Sequence, residues 1–260
     1  MAASTVPASR AASELDDHAL AAHVAAEAGR LLRALRADAA GRRLDPDRLR
    51  KEGDRRANQA ILELLASARP DDPVLSEESA DDDRRLGAPR VWIVDPLDGT
   101  REFAEPGRTD WAVHVALVVG ASDLIGAVAL PAEDLVLATR PAPALPPPRP
   151  GRLRVATSRT RMPPAATKVA EALDAELVPL GSAGAKTMAV VRGDVDAYAH
   201  AGGMYQWDSA APVAVAAAAG LHVSRIDGSP LVYNAPEAWL PDLLVCRPEL
   251  ADTCLSALAE

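Results

Sequence analysis

The chain has 260 residues and a mass of 27.2 kDa, with 48% apolar and 25% charged residues, so it can bury a full core as one large domain or two lobes. Its formal net charge of -9 and pI near 5.1 argue against a nucleic-acid polymer or an anionic membrane as partner, since both attract basic surfaces. No apolar run approaches the roughly 20 residues of a bilayer span, and the first dozen residues lack the apolar centre of a secretory signal, so a cytoplasmic location is expected.

In chain order, residues 1–12 are small and polar and read as a disordered lead-in. From Ser13, a plausible N-cap, Leu15, Ala19, Leu20, Val24, Ala28, Leu31, Leu32 and Leu35 recur at helical spacing. A second helix is predicted from about Asp54 to Ser67. "PVLSEES" and "RVWIVDP" read as buried strands ending in carboxylates, the second broken by Pro96; "DWAVHVALVVG" and "LIGAVALP" read as two more, paired by a turn at Ala121–Asp123. Residues 140–151 hold six prolines and are expected to form an exposed connection. Beyond it come a strand in "RLRVATS", a helix in "MPPAATKVAEALDA", a strand in "ELVPLGS" and a helix in "AGAKTMAVVRGD" ending near Gly193. A strand in "VDAYAHA" and a helix in "WDSAAPVAVAAAAG" closed by Gly220 complete the series. This alternation indicates a layered α/β protein, with a tail at 1–12, an N-terminal lobe at 13–140, a connection at 141–151 and a C-terminal lobe at 152–260. With only 3% aromatic residues the core should be aliphatic; Cys246 and Cys254 fit buried small hydrophobes.

The stretch "VWIVDPLDGTREF", residues 91–103, places Asp95 and Asp98 about one tight turn, where two oxygen ligands suit a hard cation such as Mg²⁺. Gly99 and Thr100 then open a helix, whose free amides suit phosphate. By itself an Asp-x-x-Asp-Gly turn is more often solvated surface. Its company changes that reading: "SEES" carries Glu77 and Glu78 upstream, and "WD" places Asp208 at a helix start in the second lobe.

These three pieces, in this order, resemble the inositol monophosphatase superfamily of Mg²⁺-dependent, lithium-sensitive phosphatases, and the resemblance runs from about residue 13 to the end. It implies an αβαβα five-layer sandwich with the active residues where the two lobes meet. It further implies Glu77 and Asp95 on one metal with the carbonyl of Leu97, Asp95, Asp98 and Asp208 on a second, and two or three Mg²⁺ per site. The amides of Gly99 and Thr100 would hold phosphate. The Thr100 hydroxyl, oriented by Asp54, would assist Glu77 in activating water, and Asp208 would deliver a proton to the leaving oxygen. Glu78 stands as an outer metal contact, a support behind the ligands, or a solvated residue. Homodimers are common in the family.

Within the superfamily, "GDRRAN", "DWAVH", "GSAGAKTMAV", "VDAYAHAGG" and "DGSPLVYN" resemble CysQ-type 3′-phosphoadenosine 5′-phosphate phosphatases of actinobacteria, which implies removal of the 3′-phosphate to give AMP, in sulfur assimilation. The small phosphate substrate would carry a second anionic group, for which Ser158, Arg159, Arg161, Ser182 and Lys186 offer hydroxyls and cations, with His200 nearby. The glutamate that inositol monophosphatases carry after the matching strand is absent, which disfavours inositol phosphate. Inositol-1-monophosphatase or fructose-1,6-bisphosphatase activity is the alternative, and a noncatalytic metal and phosphate sensor a minor one. Trp92, Trp111 and Trp239 are expected to fill core or interface space and Trp207 to orient the Asp208 turn. His114 reads as a hydrogen-bonded core histidine and "ADDDRR" as a solvated loop near the site.

Overall fold

The computed structural model describes residues 12–42, 45–120 and 123–259. The expected lead-in at 1–12, apart from Ala12, and most of the turn at 121–123 lie outside the described residues.

Two long helices come first. Helix α1 (Asp17–Arg42) starts after Ser13, which sits in a 3₁₀ turn. The capping oxygen belongs instead to Asp16, which accepts from the amide of Ala19 at 2.8 Å. Helix α2 (Pro46–Ala68) begins well before Asp54, because Asp45 accepts from the amides of Asp47 and Arg48 and Pro46 supplies a preset first-turn φ. A five-stranded sheet follows, β1 (Val74–Ser76), β2 (Arg90–Asp98), β3 (Ala112–Val119), β4 (Asp123–Leu130) and β5 (Leu135–Ala138), in that spatial order. β1 and β2 are parallel and the remaining pairs antiparallel.

Pro96 does not end β2 as expected. Asp95 still pairs with His114 and Asp98 with Ala112, and the register shifts between them. Such a bulge tolerates the missing proline N–H, and the Leu97 amide turns inward to the Asp95 carboxylate, 2.9 Å away.

After the short helix α3 (Thr100–Ala104) and the proline-rich segment, the second sheet takes β6 (Arg154–Ser158), β7 (Glu176–Leu180), β8 (Ala197–Tyr205), β9 (His222–Ser224) and β10 (Trp239–Cys246), ordered β7-β6-β8-β10-β9. Its helices are α4 (Pro164–Ala172), α5 (Ala183–Val191), α6 (Gln206–Ala218) and α7 (Ala251–Ala259). The segment at 140–151 carries neither helix nor strand, and the carbonyl of Pro146 accepts from Arg247 at 3.1 Å.

The layers follow from alternation along the strands. In β2, Val91 and Ile93 face one way and meet Met188, Val190, Ala210 and Val215 of α5 and α6. Trp92 and Val94 face the other way, onto Leu20, Val24, Ala57 and Ile61 of α1 and α2. α5 and α6 also cover one face of the second sheet through Tyr198, Leu243 and Val245, while α4 and α7 cover its far face through Val169, Ala170 and Cys254. The order helices, sheet, helices, sheet, helices is the expected αβαβα sandwich. Cys246 and Cys254 are buried free thiols.

Candidate active site

The turn at 95–100 is held by position-specific contacts. Gly99 adopts φ +86°, and a Cβ there would lie 3.0 Å from the Ser182 Cβ and 3.2 Å from the Asp110 carbonyl oxygen, so the left-handed bend and close approach both need glycine. On α2, a Cβ at Gly53 would lie 2.8 Å from Phe103 and 2.9 Å from Leu97. That contact packs the helix bearing Asp54 directly against α3 and the Asp95–Asp98 turn. Asp95 is buried at 1% exposure, and Asp98 accepts from the Ser182 hydroxyl at 2.6 Å and the Gly184 amide at 2.7 Å.

Asp208 reaches the same place from the second lobe. It sits in the first turn of α6, where its carboxylate accepts from the Tyr205 amide at 2.6 Å. His114 on β3 joins the two lobes: Nδ1 donates to the carbonyl of Trp207, 3.0 Å away, and Nε2 lies 3.2 Å from Asp98 Oδ2 at ion-pair distance rather than in an aligned hydrogen bond. It is fully buried and hydrogen-bonded, as the sequence suggested; its ring edge, Asp95 and Asp98 also bring donor atoms within 4.8 Å of one another.

Electrostatics mark this cluster apart. Burial and then the carboxylate of Glu77 raise Asp95 well above the usual range. Glu77 stands at the solvent edge, yet desolvation of its carboxyl and then repulsion from Asp208 push it to about 7. Burial and Asp98 push Asp208 to about 6, and burial and Glu78 push Asp54 to about 7. For Asp98 burial acts upward but is overcome by His114, Ser182 and the Gly184 amide, leaving it lowered; His114 is correspondingly raised against its own burial. Glu77, Asp95 and Asp208, raised by burial and by the charges of one another and of Asp98, are either partly protonated or bound to cations. The donors are oxygens, apart from an imidazole whose Nδ1 is already engaged, so the residues fit a hard divalent ion. Glu78 is exposed and acts on Asp54 through its charge.

The expected substrate residues separate into two sets. Ser158, Arg161, Lys186 and His200 line one cavity of about 670 Å³ that also reaches Asp208. There the Ser158 hydroxyl accepts from the Arg161 amide at 3.2 Å, and His200 Nε2 lies 2.9 Å from the Gly203 carbonyl. Lys186 is 5% exposed, its Nζ donates to the Gly181 carbonyl and stands 5.2 Å over the Tyr198 ring, and burial lowers its pKa. Arg159 and Ser182 do other work. Arg159 bonds Glu102 at 2.8 Å and Glu105 at 2.7 Å, because α3 and the residue that caps its C-terminus present both acids to it. Ser182 serves Asp98 and caps α5 by accepting from Ala185 at 2.8 Å.

Sequence reasoning missed three supports. Asp110 accepts from the Gly181 amide at 2.6 Å and its carbonyl from the Ser182 amide at 3.2 Å, fixing the loop behind Asp98. Arg85, expected on a solvated loop, is fully buried: two donors grip Asp81 and the others reach Asn234 Oδ1 and the carbonyls of Ala235 and Pro236. Gln206 lies fully buried beneath the same loop, donating to the Glu237 carbonyl at 2.8 Å and accepting from the Asn234 amide at 2.6 Å. No motif signals these contacts, since each joins segments distant in sequence. Trp92 and Trp111 are buried as expected, but Trp239 is half exposed, and Trp207 stacks on Tyr205 at 4.7 Å while its carbonyl meets His114.

Comparison with known proteins agrees with this architecture. The chain is 51% identical over 242 residues, 90% of each chain, to a protein of Mycobacterium bovis named 3′-phosphoadenosine 5′-phosphate phosphatase. It is 32% identical over 197 residues, 71% of this chain and 79% of the other, to the 3′(2′),5′-bisphosphate nucleotidase CysQ of Escherichia coli. Among solved structures, CysQ from Bacteroides thetaiotaomicron superposes with a TM-score of 0.76 at 27% identity, covering 90% of this chain and 98% of that one. The inositol monophosphatase family model matches residues 13–259, nearly the whole described chain, and the protein therefore belongs to that family of metal-dependent phosphatases.

Proposed function

We propose that the protein is a Mg²⁺-dependent phosphatase that removes the 3′-phosphate of 3′-phosphoadenosine 5′-phosphate to give AMP, and that it can also act on the corresponding 5′-phosphosulfate. The observation that carries this reading is the 51% identity, across nine-tenths of the chain, with proteins named for that reaction. The cavity supports it by bringing Asp208 together with cationic and aromatic groups, as a substrate with two anionic ends and a base requires. Sugar-phosphate activity is not favoured by these relatives, and no described helix is long and apolar enough to cross a membrane.

Glu77, Asp95, Asp98 and Asp208, with the carbonyl of Leu97, would hold the metal ions. Bound there, they would neutralise the phosphate and stabilise the attacking and leaving oxygens of an in-line displacement. The amides of Gly99 and Thr100 hold the phosphate oxygens. Glu77, with a pKa near 7, accepts a proton from the attacking water, while Asp54 orients the Thr100 hydroxyl beside it. Oxygen attacks phosphorus, the bond from phosphorus to the 3′ oxygen breaks, and a proton passes to that oxygen from the side of Asp208.

Phosphate release from 3′-phosphoadenosine 5′-phosphate, inositol 1-phosphate and fructose 1,6-bisphosphate, with and without Mg²⁺, tests the proposal. A strong, metal-dependent preference for the nucleotide is expected. Preference for a sugar phosphate overturns the substrate, and no release from any of the three overturns the reaction.

A further inference from the structure

Trp239 is out of place for a large apolar side chain: it is 50% exposed, in a chain with only four tryptophans. Its position is nonetheless built. It stands on β10 directly opposite Tyr205 of β8, three residues before Asp208, and it lines the cavity that also reaches Asp208. Gly203, which packs against the indole, takes φ +94°, following Gly202 at +103°. A Cβ on Gly203 would lie 2.5 Å from Trp239 Nε1 and 2.9 Å from Cε2 and Cζ2. The glycine backbone thus seats one part of the indole, and the rest of the ring is left open at the cavity rim. Arg161, also at the rim, is exposed and makes no ion pair among the described residues.

We infer that Trp239 is the platform on which the purine of the substrate stacks, and that Arg161 takes the second anionic group, so that this rim selects a nucleoside bisphosphate over phosphate esters without a base. The inference rests on the phosphatase reading above. An aromatic face accepts a base without hydrogen-bond readout, and such stacking contributes about 1–3 kcal/mol per base, a factor of roughly 5 to 150 in affinity. The seated indole loses little freedom on binding, so most of that contribution is retained.

The test compares 3′-phosphoadenosine 5′-phosphate with ribose 3,5-bisphosphate, which keeps both phosphates and lacks the base, in the wild type, Trp239→Ala and Trp239→Phe, all with Mg²⁺. In Trp239→Ala the ratio of kcat/KM for the nucleotide to that for the baseless ester should fall about tenfold or more, chiefly through KM. Trp239→Phe should keep most of the wild-type ratio. A ratio in Trp239→Ala within twofold of wild type, or equal loss on both substrates, would overturn the platform. AMP quenching of tryptophan fluorescence reads the same contact without turnover, and should largely vanish in Trp239→Phe. A wild-type protein that hydrolyses neither ester removes the reaction on which the inference rests, whereas a quench unchanged in Trp239→Phe removes the platform alone.

Discussion

The acidic cluster and the cavity beside it form two ends of the site that are built by opposite rules. At the acidic end, Asp95 and Asp98 come from one short stretch of β2, are at most 11% exposed, and have their oxygens fixed by backbone amides and the Ser182 hydroxyl. In the cavity, the open end of the site, Arg161, His200 and Trp239 come from three segments, and Arg161 and Trp239 stand open to solvent. The chemistry of phosphate transfer needs charges held to a fraction of an ångström before the substrate arrives. Recognition of the rest of the substrate needs only a face and a cation within reach. The rigid end should therefore answer mutation with loss of turnover or of the fold, and the open end with changes in KM.

The largest effect expected is at Asp98. Asp98→Asn keeps the shape and the Ser182 contact but removes a ligand charge, and kcat should fall at least about a thousandfold, beyond the ~10–100-fold that loss of a supporting hydrogen bond typically costs. Activity within tenfold of wild type would place the metal elsewhere. Next comes Gly184→Ala: a Cβ there would stand 2.0 Å from His114 Nε2, inside the fully packed junction of the lobes. Overpacking of this kind costs about 1–3 kcal/mol, and urea unfolding should show a loss at the upper end.

Arg85 sharpens the comparison, since it lies outside both ends yet ties the loop after Glu78 to the segment that leads to Trp239 and covers Gln206. Arg85→Met should cost about 2 kcal/mol of stability by orphaning buried carbonyls, and should also lower kcat, because Gln206 anchors the turn that aims Asp208. Stability lost without any change in kcat would make Arg85 a strut only.

The smallest effect is in pH. Asp54 and Glu77 near 7 and Asp208 near 6 all lie above their unfolded values. A carboxyl raised by folding contributes most at pH below its unfolded pKa of about 4, and that contribution is lost as pH rises through 6 to 7. Metal-free protein should thus melt lower at pH 8 than at pH 5.5, by about 2–4 °C for each kcal/mol lost, and Mg²⁺ should reverse the difference. A melting temperature independent of both would mean that the carboxylates do not crowd one another.

The sequence read well wherever a physical requirement is local. Alternating apolar residues in β2 and β3, the helical spacing in α1 and the Gly99 bend after Asp98 are each enforced by neighbours within a few positions. The same holds for the acids that the fold gathers into one cluster, because Asp-Pro-Leu-Asp-Gly-Thr and Trp-Asp are contiguous words. The short β9, β10 and α7 were not legible: "WLPDLLVC" alternates poorly, and β10 forms only by lying between β8 and β9.

What the sequence determined by itself is the layered α/β class, the acidic turn and the expectation of a divalent metal, since charge, periodicity and turn chemistry act over short range. Tertiary structure alone decided which cations remain open to a substrate. Arg159 is taken by Glu102 and Glu105, Ser182 by Asp98, and Arg85 by a loop some 150 residues away, while Trp239, which by composition belongs in a core, is left on the rim against Gly203. The reason is that a buried charge must find its partner wherever the fold puts one, and spacing along the chain carries no record of that choice.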